Sequence, residues 1–138
     1  MKIFRFMSNE EFEEYMKGTL LLNNKKHVGQ TFSQGFCFLD YNEYKPEDAV
    51  KFLSGIVNFD VCAVFETKKK LNKSQALYHL PNTYPAEKFV ANEYCTTMYD
   101  NHKLKLVKYA CDVYEKWLKG FSTGINEDFD WKWRLKNE

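Results

Sequence analysis

Ile3-Phe4-Arg5-Phe6-Met7-Ser8-Asn9-Glu10-Glu11-Phe12-Glu13-Glu14-Tyr15-Met16-Lys17-Gly18 changes its hydrophobic period once, and that change decides the fold class. Ile3 to Met7 read as a strand with Ile3, Arg5 and Met7 on one face, because alternate residues of a strand share a side. From Ser8 the period becomes helical. Ser8 is the expected N-cap, Glu11 stands three residues on as a capping box requires, and Phe12, Tyr15 and Met16 fall on one helical face. Gly18 ends the helix.

Downstream, Asn23 to Gln30 is polar and loop-like, and Thr31 to Leu39 enters a buried strand with Gly35 as a bend or close-approach point. Pro46 suits the first turn of a second helix through Phe52 and Leu53, closed by Gly55. Phe59 to Phe65 is the clearest central strand. Lys68-Lys69-Lys70 reads as a solvated turn, Ala76 to Leu80 as a short strand and Pro81 to Pro85 as a loop. Glu93 to Tyr99 is a late strand, with Leu104 to Tyr109 expected to pair with it. Cys111 to Leu118 reads as a helix with Val113, Tyr114, Trp117 and Leu118 on a common side. Phe129, Trp131, Trp133 and Leu135 then alternate with charged residues, the pattern of a half-buried strand. Runs of strands with helices inserted early predict an α+β fold with largely antiparallel sheets.

The 138 residues suit a single domain, 1–138, and no repeat or linker divides them. Aromatics reach 17%, which supplies either an aromatic core or rings for a flat ligand. A net charge of +1 gives no field that argues for nucleic acid, although Lys68 to Lys73 and Lys103 to Lys108 are locally basic. No apolar run approaches the ~20 residues of a membrane span, and the N-terminus lacks the apolar stretch of a signal peptide. The expectation is a cytoplasmic protein with no membrane partner. Cys37, Cys62, Cys95 and Cys111 form no CxxC pair, and three of them sit in apolar runs. They read as reduced core residues. His27, His79 and His102 lack ligand spacing, so no metal is expected.

Phosphate-binding GxxxxGK[ST], dinucleotide-binding GxGxxG and nucleophile GxSxG motifs are absent. The carboxylates Glu10, Glu11, Glu13 and Glu14 belong to one helix start, where they complement the dipole. An ordered trio remains: Arg5 in the first strand, Ser33 in Thr31-Phe32-Ser33, and Glu93 in Ala91-Asn92-Glu93.

This order resembles the Arg, Ser-Thr-Ser and Glu-x-Glu pattern of the ADP-ribosyltransferase superfamily, over roughly residues 1–110. The middle threonine and the first acidic residue are missing. The resemblance implies a cleft between two small, mostly antiparallel sheets, with two or three helices, that binds NAD and displaces nicotinamide to modify a macromolecular acceptor. It makes Glu93 the catalytic carboxylate, which stabilises the positive charge that develops on the ribose. Arg5 would bind phosphate or ribose through its planar fork, Ser33 would hydrogen-bond the ribose or support Glu93, and Phe36 or Phe38 would stack on nicotinamide. The rival expectation is a non-enzymatic protein-binding module or inhibitor, of a kind carried by phages and mobile elements. Its contact surface would include Trp131 and Trp133, since aromatics dominate interface hot spots.

Overall fold

The computed structural model describes residues 1–22, 35–53, 60–79, 88–115 and 131–136. Among these the elements run β1 (Lys2–Met7), α1 (Asn9–Met16), β2 (Leu21–Leu22), β3 (Phe36–Asp40), α2 (Pro46–Leu53), β4 (Val61–Glu66), β5 (Asn72–His79), β6 (Lys88–Thr96), β7 (Met98–Tyr99), β8 (Lys105–Ala110) and β9 (Arg134–Leu135). The fold is α+β. Seven strands form one sheet in the order β5-β6-β3-β1-β4-β8-β9, and β2 and β7 form a two-stranded ribbon. Every pairing is antiparallel. The expected pair of small sheets is thus replaced by one large sheet and a ribbon.

β1 lies fourth of seven, and its alternation builds two cores. Phe4 and Phe6 join Leu39, Cys62, Val64, Ala91 and Ala110 on one face, covered by Ala49 and Val50 of α2 together with Val113 and Trp131. Ile3 and Met7 join Phe36, Phe38, Val61, Ala63 and Phe65 on the other, covered by Tyr15 of α1, Leu21, Tyr99 and Leu104. Because both faces are covered, Val61 to Phe65 are all buried. A strand buried on both sides reads as a continuous apolar run, which is why β4 was recognisable as central.

The helix ends follow their local chemistry. The Ser8 hydroxyl accepts the Glu11 N–H at 3.1 Å. Gly18 takes φ +86, its N–H reaches the Tyr15 carbonyl, and the Thr19 N–H reaches that of Glu14. That is a Schellman ending, which requires the left-handed conformation glycine adopts cheaply. Phe12 and Tyr15 face the core as expected, but Met16 is exposed. Pro46 opens α2, where a missing N–H costs nothing.

Three strand expectations need correction. β8 pairs with β4, not with the 93–99 strand, because β6 already has β3 and β5 on its two edges. The 93–99 stretch itself divides: β6 ends at Thr96 and Met98–Tyr99 turns away to pair with β2. Near the C-terminus Lys132 has φ +50, which breaks the alternation, so only Arg134–Leu135 pairs as strand. Val113 is buried while Tyr114 is 44% exposed, so these two do not share a side. Asn23 to Gln34, Gly55, Phe59, Leu80, Pro81 to Pro85, Trp117, Leu118 and Phe129 lie outside the described residues.

Gly35 is where the expected close approach is met. Its φ is +97, and a Cβ there would fall on the carbonyl group of Thr96. Gly35→Ala should therefore lose about 3 kcal/mol or more in urea unfolding, combining backbone strain with overlap against main chain that cannot move aside. Gly18→Ala should lose only about 1 kcal/mol, because its nearest obstacle is the flexible Asn101 side chain at 3.4 Å. Equal losses would show that crowding at Thr96 plays no part.

Candidate functional site

Arg5 leaves β1 on the face that carries α1. Its Nε and one terminal nitrogen donate to the two Glu11 oxygens at 2.8 and 2.9 Å, and the other nitrogen donates to the Cys37 carbonyl at 3.2 Å. Tyr99 donates its hydroxyl to the same carboxylate at 2.6 Å. The guanidinium lies over the rings of Phe36 and Phe38, at 5.2 and 5.9 Å. Glu11 reaches this place because the Ser8 cap turns the helix's first residues back toward the strand. Burial by itself would lower the Arg5 pKa, but the facing Glu11 carboxylate more than reverses this and raises it. Phe36 and Phe38 are 0% and 1% exposed, so neither offers a ring face to a bound nicotinamide.

Glu93 leaves β6 on the opposite face. It stands across from Leu39 and Ser74 in the ladders, and Leu39 packs with Phe4, the neighbour of Arg5. Strand parity is two, so one residue of offset sends a side chain through to the other side. The expected convergence of Arg5, Ser33 and Glu93 on one cleft is therefore corrected for Arg5 and Glu93, while Ser33 lies outside the described residues. The strands that carry Arg5, Phe36, Phe38 and Glu93 are nonetheless neighbours, in the order β6-β3-β1.

Around Glu93 the register collects a different group. Cys37 and Cys95 are direct cross-strand partners, with their sulfurs 3.1 Å apart. The Ser74 hydroxyl is 3.5 Å from the Cys95 sulfur. The two sulfurs and a Glu93 oxygen all lie within 4.8 Å of one another. Cys37 is half-buried, whereas Cys95 and Glu93 are buried. The hydrogen bond with Cys37 draws the Cys95 thiol down to about 7; burial opposes that effect and Ser74 adds to it. The same hydrogen bond, with burial behind it, pushes the Cys37 thiol up. One hydrogen bond thus joins the two sulfurs. All four cysteines are thiols, and Cys62 matches the expected inert core residue, its pKa raised by burial. Cys37 and Cys95 do not match it. They are 58 residues apart, and only the strand pairing brings them together.

Of the two candidate contact tryptophans, Trp131 is 3% exposed and belongs to the core, a correction to the expected surface role. Trp133 stays half-buried and stacks on Trp131 at 5.5 Å. Lys108 lies 4.5 Å over Trp133 and donates to the Tyr41 hydroxyl at 2.7 Å. In the basic run 103–108, Lys103 is likewise engaged, donating to Thr96 Oγ1 at 2.6 Å.

Comparisons with protein families, with curated proteins and with solved structures gave no match to this chain. Among the described residues no helix is long and apolar enough to cross a membrane.

Arg5→Ala strands the Glu11 carboxylate in an apolar core, and should cost about 3–5 kcal/mol in urea unfolding. Tyr99→Phe removes one hydrogen bond to that charge and should cost about 2 kcal/mol. Replacing both charges together, Arg5→Met with Glu11→Leu, should restore most of the loss from Arg5→Ala. A double variant as unstable as Arg5→Ala would show that the pair itself, not the stranded charge, holds the core.

Alkaline stability is set in the same core. Burial pushes Tyr15 from its ordinary 10.0 to about 12 and raises Tyr99 well above its ordinary value. A raised folded pKa means that the folded state keeps its proton while the unfolded state loses it. Stability should thus be full below pH about 10 and fall as pH rises toward about 12. Tyr15→Phe should flatten this slope, read from urea midpoints at pH 9 to about 11.5. An unchanged slope would show that Tyr15 does not hold its proton as described.

Proposed function

We propose that this chain is a non-enzymatic protein-binding module built on an ADP-ribosyltransferase-like scaffold. The observation that carries the reading is the separation of Arg5 and Glu93 by the thickness of the sheet. Cleaving the nicotinamide bond needs a carboxylate beside the ribose while the phosphates are held nearby. Here Glu93 faces the α2 side, and the Arg5 fork is spent on Glu11 and the Cys37 carbonyl. Binding a phosphate would mean breaking a buried bidentate pair and stranding Glu11. The scaffold half of the reading is supported by the adjacency of β1, β3 and β6, with an intervening helix that ends at Gly18.

The protein-binding half is supported by the surface around Trp133. An indole stacked on a buried partner is held in one orientation, so little side-chain entropy is left to lose on docking. Lys108 and Tyr41 add charge and a second ring beside it.

Incubation with NAD labelled in the adenylate should release no nicotinamide above a protein-free control and label no macromolecule. Release that disappears in Glu93→Gln would restore the transferase reading. In parallel, cross-linking should give the same adduct for wild type and Glu93→Gln, and lose it for Trp133→Ala with unchanged circular dichroism. An adduct indifferent to Trp133 would remove that surface from the proposal.

A further inference from the structure

We propose that Cys37 and Cys95 form a redox-active dithiol that closes to a disulfide on meeting a small-molecule disulfide such as glutathione disulfide. This goes beyond the binding reading and stands without it. The two residues are direct partners in an antiparallel ladder, where opposed Cα atoms lie about 4.5–5.5 Å apart, inside the range a disulfide spans. The sulfurs are already 3.1 Å apart, so closure needs about 1 Å of approach from two side chains on one face.

Chemical surroundings separate this pair from two small core residues packed side by side. Ser74 and the buried Glu93 carboxylate stand beside the sulfurs, where packing alone would place apolar groups. A disulfide is attacked by a thiolate, so the sulfur with access to solvent and to the oxidant acts first. The two positions also differ in access, since Cys37 is half-buried and Cys95 is 1% exposed.

Cys37 is accordingly the sulfur that meets the oxidant, and its thiol proton leaves to solvent as the sulfur attacks. The Cys37 thiolate attacks one sulfur of the small disulfide. A Cys37–S–S–R bond forms, the R–S–S–R bond breaks, and the first RS⁻ leaves and takes a proton from solvent. Cys95 then attacks the Cys37 sulfur, the Cys37–Cys95 bond forms, and the second RS⁻ departs with the Cys95 proton. Two thiols lose two electrons and two protons, and one small disulfide becomes two small thiols. Closing a loop between residues 37 and 95 also restrains the unfolded chain.

The test equilibrates the full chain with glutathione disulfide, then blocks remaining thiols and maps cross-links by mass spectrometry of digests. The expected result is a Cys37–Cys95 cross-link, two thiols left to block, reversal by dithiothreitol, and a higher melting temperature for the oxidised form. Cys95→Ser should trap glutathione on Cys37, whereas Cys37→Ser should leave Cys95 largely unmodified. Four blockable thiols in wild type, a cross-link between any other pair, or a lasting glutathione adduct in wild type would each overturn the proposal. The wild-type map requires no variant to fold.

Discussion

The alternation of β1, with a core on each side, is the constraint on which everything else rests. A strand in the middle of a seven-stranded sheet has no solvent face, so its single charged interior residue, Arg5, must find its counter-charge inside the protein. Glu11 supplies it. That requirement places the start of α1, fixes the approach of the helix to the sheet, and draws in Tyr99 from the β2–β7 ribbon as a third member. One ionic cluster thereby ties strand, helix and ribbon to one another.

Such a cluster contributes geometry more than stability. A buried ion pair recovers its desolvation cost only when nearly every donor and acceptor is used, and apolar replacements of similar volume often do as well. Here the guanidinium makes two bonds to carboxylate and one to a carbonyl, and lies over two rings. The gain is a unique docking of α1, because a slip of one residue would leave two charges buried apart. The Arg5 bond to the Cys37 carbonyl reaches through to β3, so the strand that presents the Cys37 thiol is pinned from the opposite side.

Local structure was legible in the sequence wherever it is decided by neighbours along the chain. The Ser8 cap, the Gly18 ending, the tight approach at Gly35, Pro46 at a helix start and the apolar run of β4 all have causes within a few residues. Pairing was less legible, since Leu104 to Tyr109 carries the same alternation whichever strand it joins. Only the occupied edges of β6 exclude it there. Trp131 and Trp133 show the same limit. Two-residue spacing suggests equivalent positions, but a positive φ at the residue between them turns one ring into the core and leaves the other at the surface. The candidate site was the least legible part. Arg5 and Glu93 were chosen by residue type and order along the chain, and neither says which face of a sheet a side chain takes.

The parity that separates Arg5 from Glu93 is the same parity that assembles Glu93 with Cys37, Cys95 and Ser74. In an antiparallel ladder, partner positions move in opposite directions along the chain, so a chemical cluster runs across strands and has no fixed spacing in sequence. A search for CxxC or paired carboxylates samples only neighbours within one strand or helix. It passes over two thiols from β3 and β6 whose separation is set by the intervening chain. Glu93 therefore keeps its standing as a buried carboxylate of chemical interest, but its partners change. In place of an arginine and a sugar it faces two hydrogen-bonded sulfurs, and its electrostatic effect favours the protonated form of both.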